Sequence, residues 1–318
     1  MKDTITLLML GGARRVSMAS LLKEAAHRLG YKLRIVSYEL MEQVPIASVA
    51  KVVTGLKWND PLVVDDLVKL SKKEDVDIIL PFVDGAIEIA AKCREMLPDV
   101  FIPVSDPETS AKMFDKIIAA KAFKGAGLPI PTTYNALTAQ MPAIAKPRKG
   151  SASRGIKIFH NIDDLMHLDN LGDYLVQEYI ENREEYTVDC YVSMEGDIMC
   201  TVPRRRLEIM GGEVTRTVTT RLPKLMEESC NVINAFKLRG PITIQFLHDL
   251  DSDRFLLMEV NPRLGGGAVC SIFAGAPIAD YILEESLCKV IEPCDDWKDN
   301  TLMARYWSEV IFHDNIRQ

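Results

Sequence analysis

Strand-sized apolar runs alternate with helix-sized amphipathic runs through the first hundred residues, and this alternation constrains the fold more than any other feature. Ile5-Thr6-Leu7-Leu8-Met9-Leu10 is a short β-rich run stopped by Gly11-Gly12. Ser17 suits the N-cap of a helix with apolar positions at Met18, Leu21, Leu22, Ala25 and Leu29, and Gly30 stands where a C-terminal cap is wanted. Leu33 to Val36 and Ile46 to Val53 read as strands. Asp60-Pro61 opens a helix through Leu70, followed by a strand at Val76 to Leu80, a helix from Gly85 to Leu97 and a strand at Val100 to Val104. Strands separated by helices of this length predict an open parallel α/β sheet with right-handed crossovers.

The Gly11-Gly12 turn is not a dinucleotide fingerprint. G-x-G-x-x-G is absent, and Arg14 and Arg15 stand where a pyrophosphate needs close backbone approach. Those two arginines can instead line a cleft at the carboxyl ends of the strands, or form a solvated turn.

The pattern changes at Asp106-Pro107-Glu108, which carries an N-cap, a proline at the first helical position and an acid in the first turn. This helix is expected to run to about Ala126. Short strands follow at Ala143 to Lys146, Ile156 to Phe159, Leu175 to Ile180 and Glu185 to Met194, the last in a hairpin with Asp197 to Pro203. A helix from Leu222 to Leu238 precedes strands at Pro241 to Leu247 and Phe255 to Val260. This half reads as α+β with mainly antiparallel strands. The expected boundaries are 1–105, 106–180 and 181–318.

Composition closes off other classes. The 318 residues include 38 Lys or Arg and 45 Asp or Glu, a net charge of −7 without a basic tract, which argues against nucleic-acid or membrane binding as the main role. No apolar run approaches the roughly 20 residues of a membrane span, and no secretory signal is visible at the start. Seven cysteines without a C-x-x-C read as reduced, mostly buried thiols of a cytoplasmic protein.

Three features share the chemistry of a nucleoside triphosphate. Lys146 ends a strand and leads into Gly150-Ser151-Ala152-Ser153-Arg154-Gly155, where small residues let backbone N–H groups approach phosphate oxygens. Val176-Gln177-Glu178-Tyr179-Ile180 can offer backbone groups to an adenine edge, with a carboxylate of Glu184 or Glu185 near enough to accept ribose hydroxyls; a plain strand with a solvated acidic turn explains it equally well. Glu259 and Asn261, two apart on one strand, face the same way, and Gln245 lies across a hairpin from them. Three convergent oxygen-bearing side chains suit magnesium. The structural alternative is an ion pair between Glu259 and Arg263. Arg204, Arg205, Arg206, Arg216 and Arg221 form a local positive excess, in which Arg204 and Arg206 share one face.

Together these motifs resemble the ATP-grasp ligases, most closely one synthetase unit of the carbamoyl phosphate synthetase large subunit. Glu259-Val260-Asn261-Pro262-Arg263 resembles that family's metal-binding strand, with Gln245 at the matching place on the preceding strand. Lys146 and the 150–155 loop, through Ser151, Ser153 and Gly155, resemble its phosphate clamp. Lys116 resembles its earlier phosphate-binding lysine, Glu178 and Ile180 its adenine segment, and Glu185 its ribose acid. Gln245 stands where many members carry an acid, and Arg154 replaces a loop glycine.

The resemblance implies an ATP-grasp fold: a Rossmann-like pre-ATP-grasp domain, a small lid and a larger antiparallel catalytic part. It implies an ATP-dependent carboxylate–amine (or ammonia) ligase working through an acyl phosphate and using Mg²⁺ or Mn²⁺. Glu259, Asn261 and Arg263 are then catalytic, and Arg14, Arg15, Arg204, Arg206 and Arg216 are expected to meet an anionic substrate. The expected partners are a small carboxylate and an amine, without nucleic acid or membrane, and a homodimer is admissible. Two rival readings are a carboxylate or carbamate kinase and a non-catalytic ATP-binding subunit or sensor.

Overall fold

The computed structural model describes residues 3–150 and 154–313. Within these residues the strands form sheets of four, three and six strands. The first comprises β1 (Thr4–Leu10), β2 (Lys32–Glu39), β3 (Lys51–Thr54) and β4 (Ile78–Pro81), in the order β3-β2-β1-β4 and parallel throughout. Helices α1 (Val16–Arg28), α2 (Val63–Lys73) and α3 (Asp84–Met96) make the crossovers. Leu7, Leu8, Met9 and Leu10 on β1 are fully buried, as expected of a parallel strand covered on both faces.

Three expected elements differ. Ile46 to Val53 is not one strand, because Pro45–Ser48 forms a 3₁₀ turn before β3 begins. Val100 to Val104 reduces to a single parallel bridge between Phe101 and Ile78, and Pro103 cannot donate to a ladder. The helix expected from Asp106 to Ala126 is broken at Asp115 into α4 (Pro107–Phe114) and α5 (Lys116–Gly125). The Asp115 backbone is extended there, and its carboxylate accepts from Ile117 and Ile118 N–H at 3.1 Å, which caps α5. The break makes Lys116 the first helical residue of α5.

The second sheet is β6-β5-β7, from β5 (Ala143–Pro147), β6 (Lys157–Phe159) and β7 (Tyr174–Glu178), with α6 (Ile162–Met166) beside it. The third is antiparallel, in the order β12-β11-β8-β9-β10-β13, from β8 (Arg183–Val192), β9 (Ile198–Met210), β10 (Glu213–Thr219), β11 (Gly240–Asp249), β12 (Arg254–Asn261) and β13 (Leu302–Ala304). One face of it packs Tyr186, Val188, Ile242, Ile244, Phe246 and Leu257 against α7 (Pro223–Phe236) and the α4–α5 pair. The period-2 alternation of strands puts Glu185, Thr187, Asp189, Arg204, Arg206, Thr243 and Gln245 on the other face.

The chain then returns to its start. Helices α8 (Ala268–Phe273) and α9 (Ile278–Ser286) pack on α1, where Met18, Ala19, Leu22 and Ala26 share a core with Ile278, Tyr281 and Ile282. Arg28 on α1 pairs with Asp280 on α9 at 2.6 Å. No helix among the described residues is long and apolar enough to cross a membrane. Cys93, Cys190, Cys200 and Cys270 are buried free thiols, Cys230 and Cys294 are part-buried, and Cys288 is exposed.

Candidate functional site

A cleft of about 480 Å³ lies between the three-stranded sheet and the polar face of the six-stranded sheet. The turn after β4 (Phe82, Val83, Asp84) contributes to its lining, so the carboxyl end of the parallel sheet also faces it. Lys116, Lys146, Glu178, Ile180 and Glu185 all line this cleft, as do Gln245, Glu259, Asn261 and Arg263. Residues 147 sequence positions apart thus meet in one place because α5, β5, β7, β8, β11 and β12 all border it.

Gln245 and Glu259 are direct register partners, as are Thr243 and Asn261. A bulge follows this pair, so Phe246 opposes Leu257 and Met258 is the extra residue. The bulge turns Met258 into the cleft beside Glu259. The Glu259 carboxylate makes no hydrogen bond or ion pair among the described residues, although its strand pairs with β11. The expected alternative, a Glu259–Arg263 ion pair, does not form: Arg263 pairs with Asp84, through Nε at 2.6 Å and Nη2 at 2.5 Å. Arg263 Nη2 also donates to Asn261 Oδ1 at 3.3 Å. Gln245 Oε1 accepts from Arg206 at 3.4 Å.

Lys146 is buried, and its ammonium donates to Gln177 Oε1 at 3.0 Å. Burial pushes its pKa down to about 8; Glu259 and Glu185 oppose this, while Lys116 and Arg183 add to it. Lys116 reaches from the start of α5 to donate to the Gly150 carbonyl at 2.7 Å. Asp115, which caps that helix, also accepts from Arg148 Nε at 2.6 Å, tying α5 to the strand-to-loop exit of β5.

Several expected site residues are held by protein partners. The Glu178 carboxylate turns away to accept from Thr132 N–H at 2.7 Å and Thr132 Oγ1 at 3.1 Å, and its backbone N–H donates to the Thr132 carbonyl at 2.9 Å, so neither group is free for a base. Glu185 is not free, because Arg206 Nη1 holds it at 2.9 Å. Arg206 also donates to the Gly212 carbonyl at 3.2 Å, and its Nε has no partner. It therefore stands beside the Glu185 and Gln245 side chains rather than at a separate acid site.

Arg204, expected to meet substrate, is 1% exposed and forms a fork with Asp189, Nε to Oδ2 at 2.6 Å and Nη2 to Oδ1 at 3.2 Å. It also donates to Thr217 Oγ1 at 3.1 Å, so it is a buried brace that forms part of the cleft floor. Arg216 and Arg14 are exposed and do not line the cleft. Gly155 does not line it either, although Gly150 and Arg154 do. Ser151 and Ser153 lie outside the described residues.

Arg15 does line the cleft, with three groups that sequence reasoning gave no role. Glu213 on β10, Arg305 after β13, and the Gly265-Gly266-Gly267 turn after β12 all meet there. The glycine triplet was a visible signal, since three successive residues without Cβ permit close approach of other groups. Glu213 and Arg305 carried no local signal and are assembled only by the sheet.

The described residues hold no group of three or more His, Cys, Asp or Glu side chains suited to a metal. A cation here would rest on one carboxylate and two amide oxygens, with phosphates supplying the remaining charge. That donor chemistry fits magnesium, which accepts few protein ligands when phosphates complete its shell.

Residues 170–305 match the family model described as "ATP-grasp in the biosynthetic pathway with Ter operon". The carbamoyl phosphate synthase large chain of Campylobacter jejuni is 23% identical over 252 residues, which is 69% of this chain and 23% of that protein. The chain therefore spans about a quarter of that relative's length. A D-alanine–D-alanine ligase from Petrotoga mobilis is 37% identical over 89 residues, 25% of this chain and 30% of that one. Among solved structures, the biotin carboxylase domain dimer of Hydrogenobacter thermophilus 2-oxoglutarate carboxylase, in complex with MgADP, ADP and bicarbonate, superposes with a TM-score of 0.74. It is 17% identical, and the match covers 93% of this chain and 73% of that one. N5-carboxyaminoimidazole synthetase from Staphylococcus aureus with ADP gives a TM-score of 0.73 at 17% identity, covering 96% of this chain and 81% of that one.

Proposed function

We propose that this chain, whose fold is the ATP-grasp fold, is an ATP-dependent carboxylate–amine or ammonia ligase. The observation that carries the reading is the unpaired Glu259 carboxylate. It faces Gln245 in register, with Asn261 two residues on and two lysines lining the same cleft. Holding adenine alone requires none of these groups, whereas transferring a phosphoryl group requires charge on both sides of it.

In this reading Lys116 and Lys146 hold phosphate oxygens, and Glu185, oriented by Arg206, accepts the ribose hydroxyls. Ile144, Ile158 and Tyr179 line the cleft where a base would stack. Glu259, Asn261 and Gln245 would hold magnesium, which when bound neutralises the β- and γ-phosphates and aligns them for transfer. Arg263, fixed by Asp84, directs its guanidinium at the transferring group and at the acyl phosphate that results. An amine then attacks that acyl carbon and expels phosphate. No side-chain nucleophile is required.

The test is formation of ADP and phosphate by the wild type with panels of carboxylates and amines. ADP that appears only when both are present supports ligation. ADP with carboxylate alone, trapped by hydroxylamine as a hydroxamate, marks a carboxylate kinase. ATP binding without turnover across the panel marks a sensor. The carboxylase domain of known structure is a dimer, and a homodimer is the matching proposal here, read by light scattering.

Lys146 supplies a pH-dependent prediction. Below about pH 8 it is an ammonium that phosphates can use; above that value the empty cleft holds it neutral. ATP affinity should therefore fall as pH rises through about 8, by up to roughly tenfold per unit, with net proton uptake on binding at pH 8.5. The same depressed pKa works the other way on stability. The unfolded chain holds that proton more tightly, so this group stabilises the fold as pH climbs from about 8 toward the ordinary lysine value. Calorimetry in buffers of different ionisation enthalpy measures the uptake. Lys146→Met should abolish it and weaken ATP binding about tenfold or more, as loss of a charge-assisted contact implies. Unchanged affinity in that variant would remove Lys146 from the phosphate site.

A further inference from the structure

Beyond Arg263 the cleft carries positive charge that phosphoryl transfer does not use. Arg15, Arg263 and Arg305 share this end with two carboxylates, Asp84 and Glu213. Asp84 is taken by Arg263, and Glu213 lies 2.7 Å from Arg305 Nη1. Arg15 is left with one side-chain hydrogen bond among the described residues, to Glu213 Oε1 at 3.5 Å.

A guanidinium has five N–H donors, and that of Arg15 is only 16% exposed. Burial lowers its pKa; Glu213 opposes this, but Arg263 and Arg305 lower it further. A mostly buried, under-bonded cation crowded by two others is a poor resting state, and an anion relieves it. Gly266 sets the geometry. A Cβ there would lie 2.6 Å from Arg15 Nη1 and 2.9 Å from Arg305 Nη2, so both guanidinium groups lie against the bare backbone of this turn. The two side chains come from opposite ends of the chain and meet only here.

We propose that Arg15 and Arg305, seated on Gly266, bind a second, non-reacting carboxylate of the acid substrate, so that the substrate class is a dicarboxylic acid. The inference rests on the ligase reading above. The remote carboxylate takes up Arg15 donors that the long Glu213 contact leaves idle, and Glu213 stays with Arg305. The other carboxylate is then left for the phosphoryl group held near Arg263 and Glu259.

The experiment is calorimetry on the full chain with ADP and Mg²⁺, comparing succinate, glutarate and adipate with butyrate, valerate and hexanoate. At least one dicarboxylate should bind about tenfold or more tightly than the monocarboxylate of equal length. Arg15→Gln should erase that preference. Gly266→Ala should erase it too, because it displaces both guanidinium groups while keeping their charge. ADP affinity reports that each variant is folded. Equal binding of mono- and dicarboxylates by the wild type overturns the proposal, and so does a preference that survives both substitutions. The ligase reading fails separately. An Arg15-dependent preference in a chain that never makes ADP keeps the subsite and removes the ligase, whereas turnover of monocarboxylates indifferent to Arg15→Gln does the reverse.

Discussion

Glu259→Gln should lower phosphoryl transfer by about 10²-fold or more while leaving ADP binding within a few-fold of wild type. The substitution keeps the shape of the side chain and removes the one formal charge among Gln245, Glu259 and Asn261. Neutral amide oxygens at all three positions leave the phosphates to hold a divalent cation by themselves, so the loss falls on the step where charge is redistributed. Arg263→Lys is the companion variant. It retains a cation but replaces the planar fork, whose Nε and Nη2 both meet Asp84, with a single nitrogen of different reach. It should also slow turnover by about 10²-fold, with ADP affinity unchanged. Single-turnover ADP formation measures both. Full activity in Glu259→Gln would mean that the metal is placed wrongly, and equal losses of turnover and ADP affinity would mean that the residue supports the cleft wall instead.

Asp189→Ala should cost about 3–5 kcal/mol of stability, the usual range when one partner of a buried ion pair is removed. Asp189 and Arg204 are 2% and 1% exposed, although Arg204 borders the cleft. The carboxylate also accepts from Ser271 Oγ at 2.6 Å and Thr243 Oγ1 at 3.3 Å, so it joins β8, β9, β11 and α8 under the floor of the cleft. Its removal leaves a buried guanidinium with Thr217 as the remaining side-chain partner. Chemical denaturation reads the loss, and the double variant Asp189→Leu, Arg204→Met should recover most of it, since apolar groups of similar volume leave no unpaired charge. A single-variant cost below about 1 kcal/mol would return Arg204 to the list of groups that meet substrate.

What could be read from the sequence was what is local. Glu259 and Asn261 owe their shared direction to the period of a strand, and Lys146 its place to the end of one. Both are properties of five or six consecutive residues. The break at Asp115 was also local, an N-cap residue inside an apolar period, but the period ran across it and concealed it. The Met258 bulge was not legible, because a bulge is a property of two strands in register and not of either one. Glu213, Asp84 and Arg305 are neighbours of Arg15 and Arg263 only after the sheets assemble. Arginine density alone could not separate Arg204, buried on Asp189, from Arg216, exposed on the next strand: the difference lies in which strand supplies a carboxylate opposite.

The packing of α9 on α1 bears on how the chain is made. The parallel sheet gains its last bridge, from Phe101 to Ile78, soon after β4 has been synthesised, yet the face of α1 that packs on α8 and α9 has no cover until residues 268–286 leave the ribosome. At about 5–20 residues per second, that interval is on the order of tens of seconds. For that time Leu22, Ala26 and their neighbours stay wet, and the nascent chain offers a sticky stripe to any passing hydrophobic surface. The parallel-sheet segment is thus not a module that matures first and waits for the rest; α8 and α9 must be made before it can close. A ribosome-stalled chain ending near residue 265 should be cut by protease within α1, and one in which a C-terminal linker carries residue 286 clear of the exit tunnel should resist.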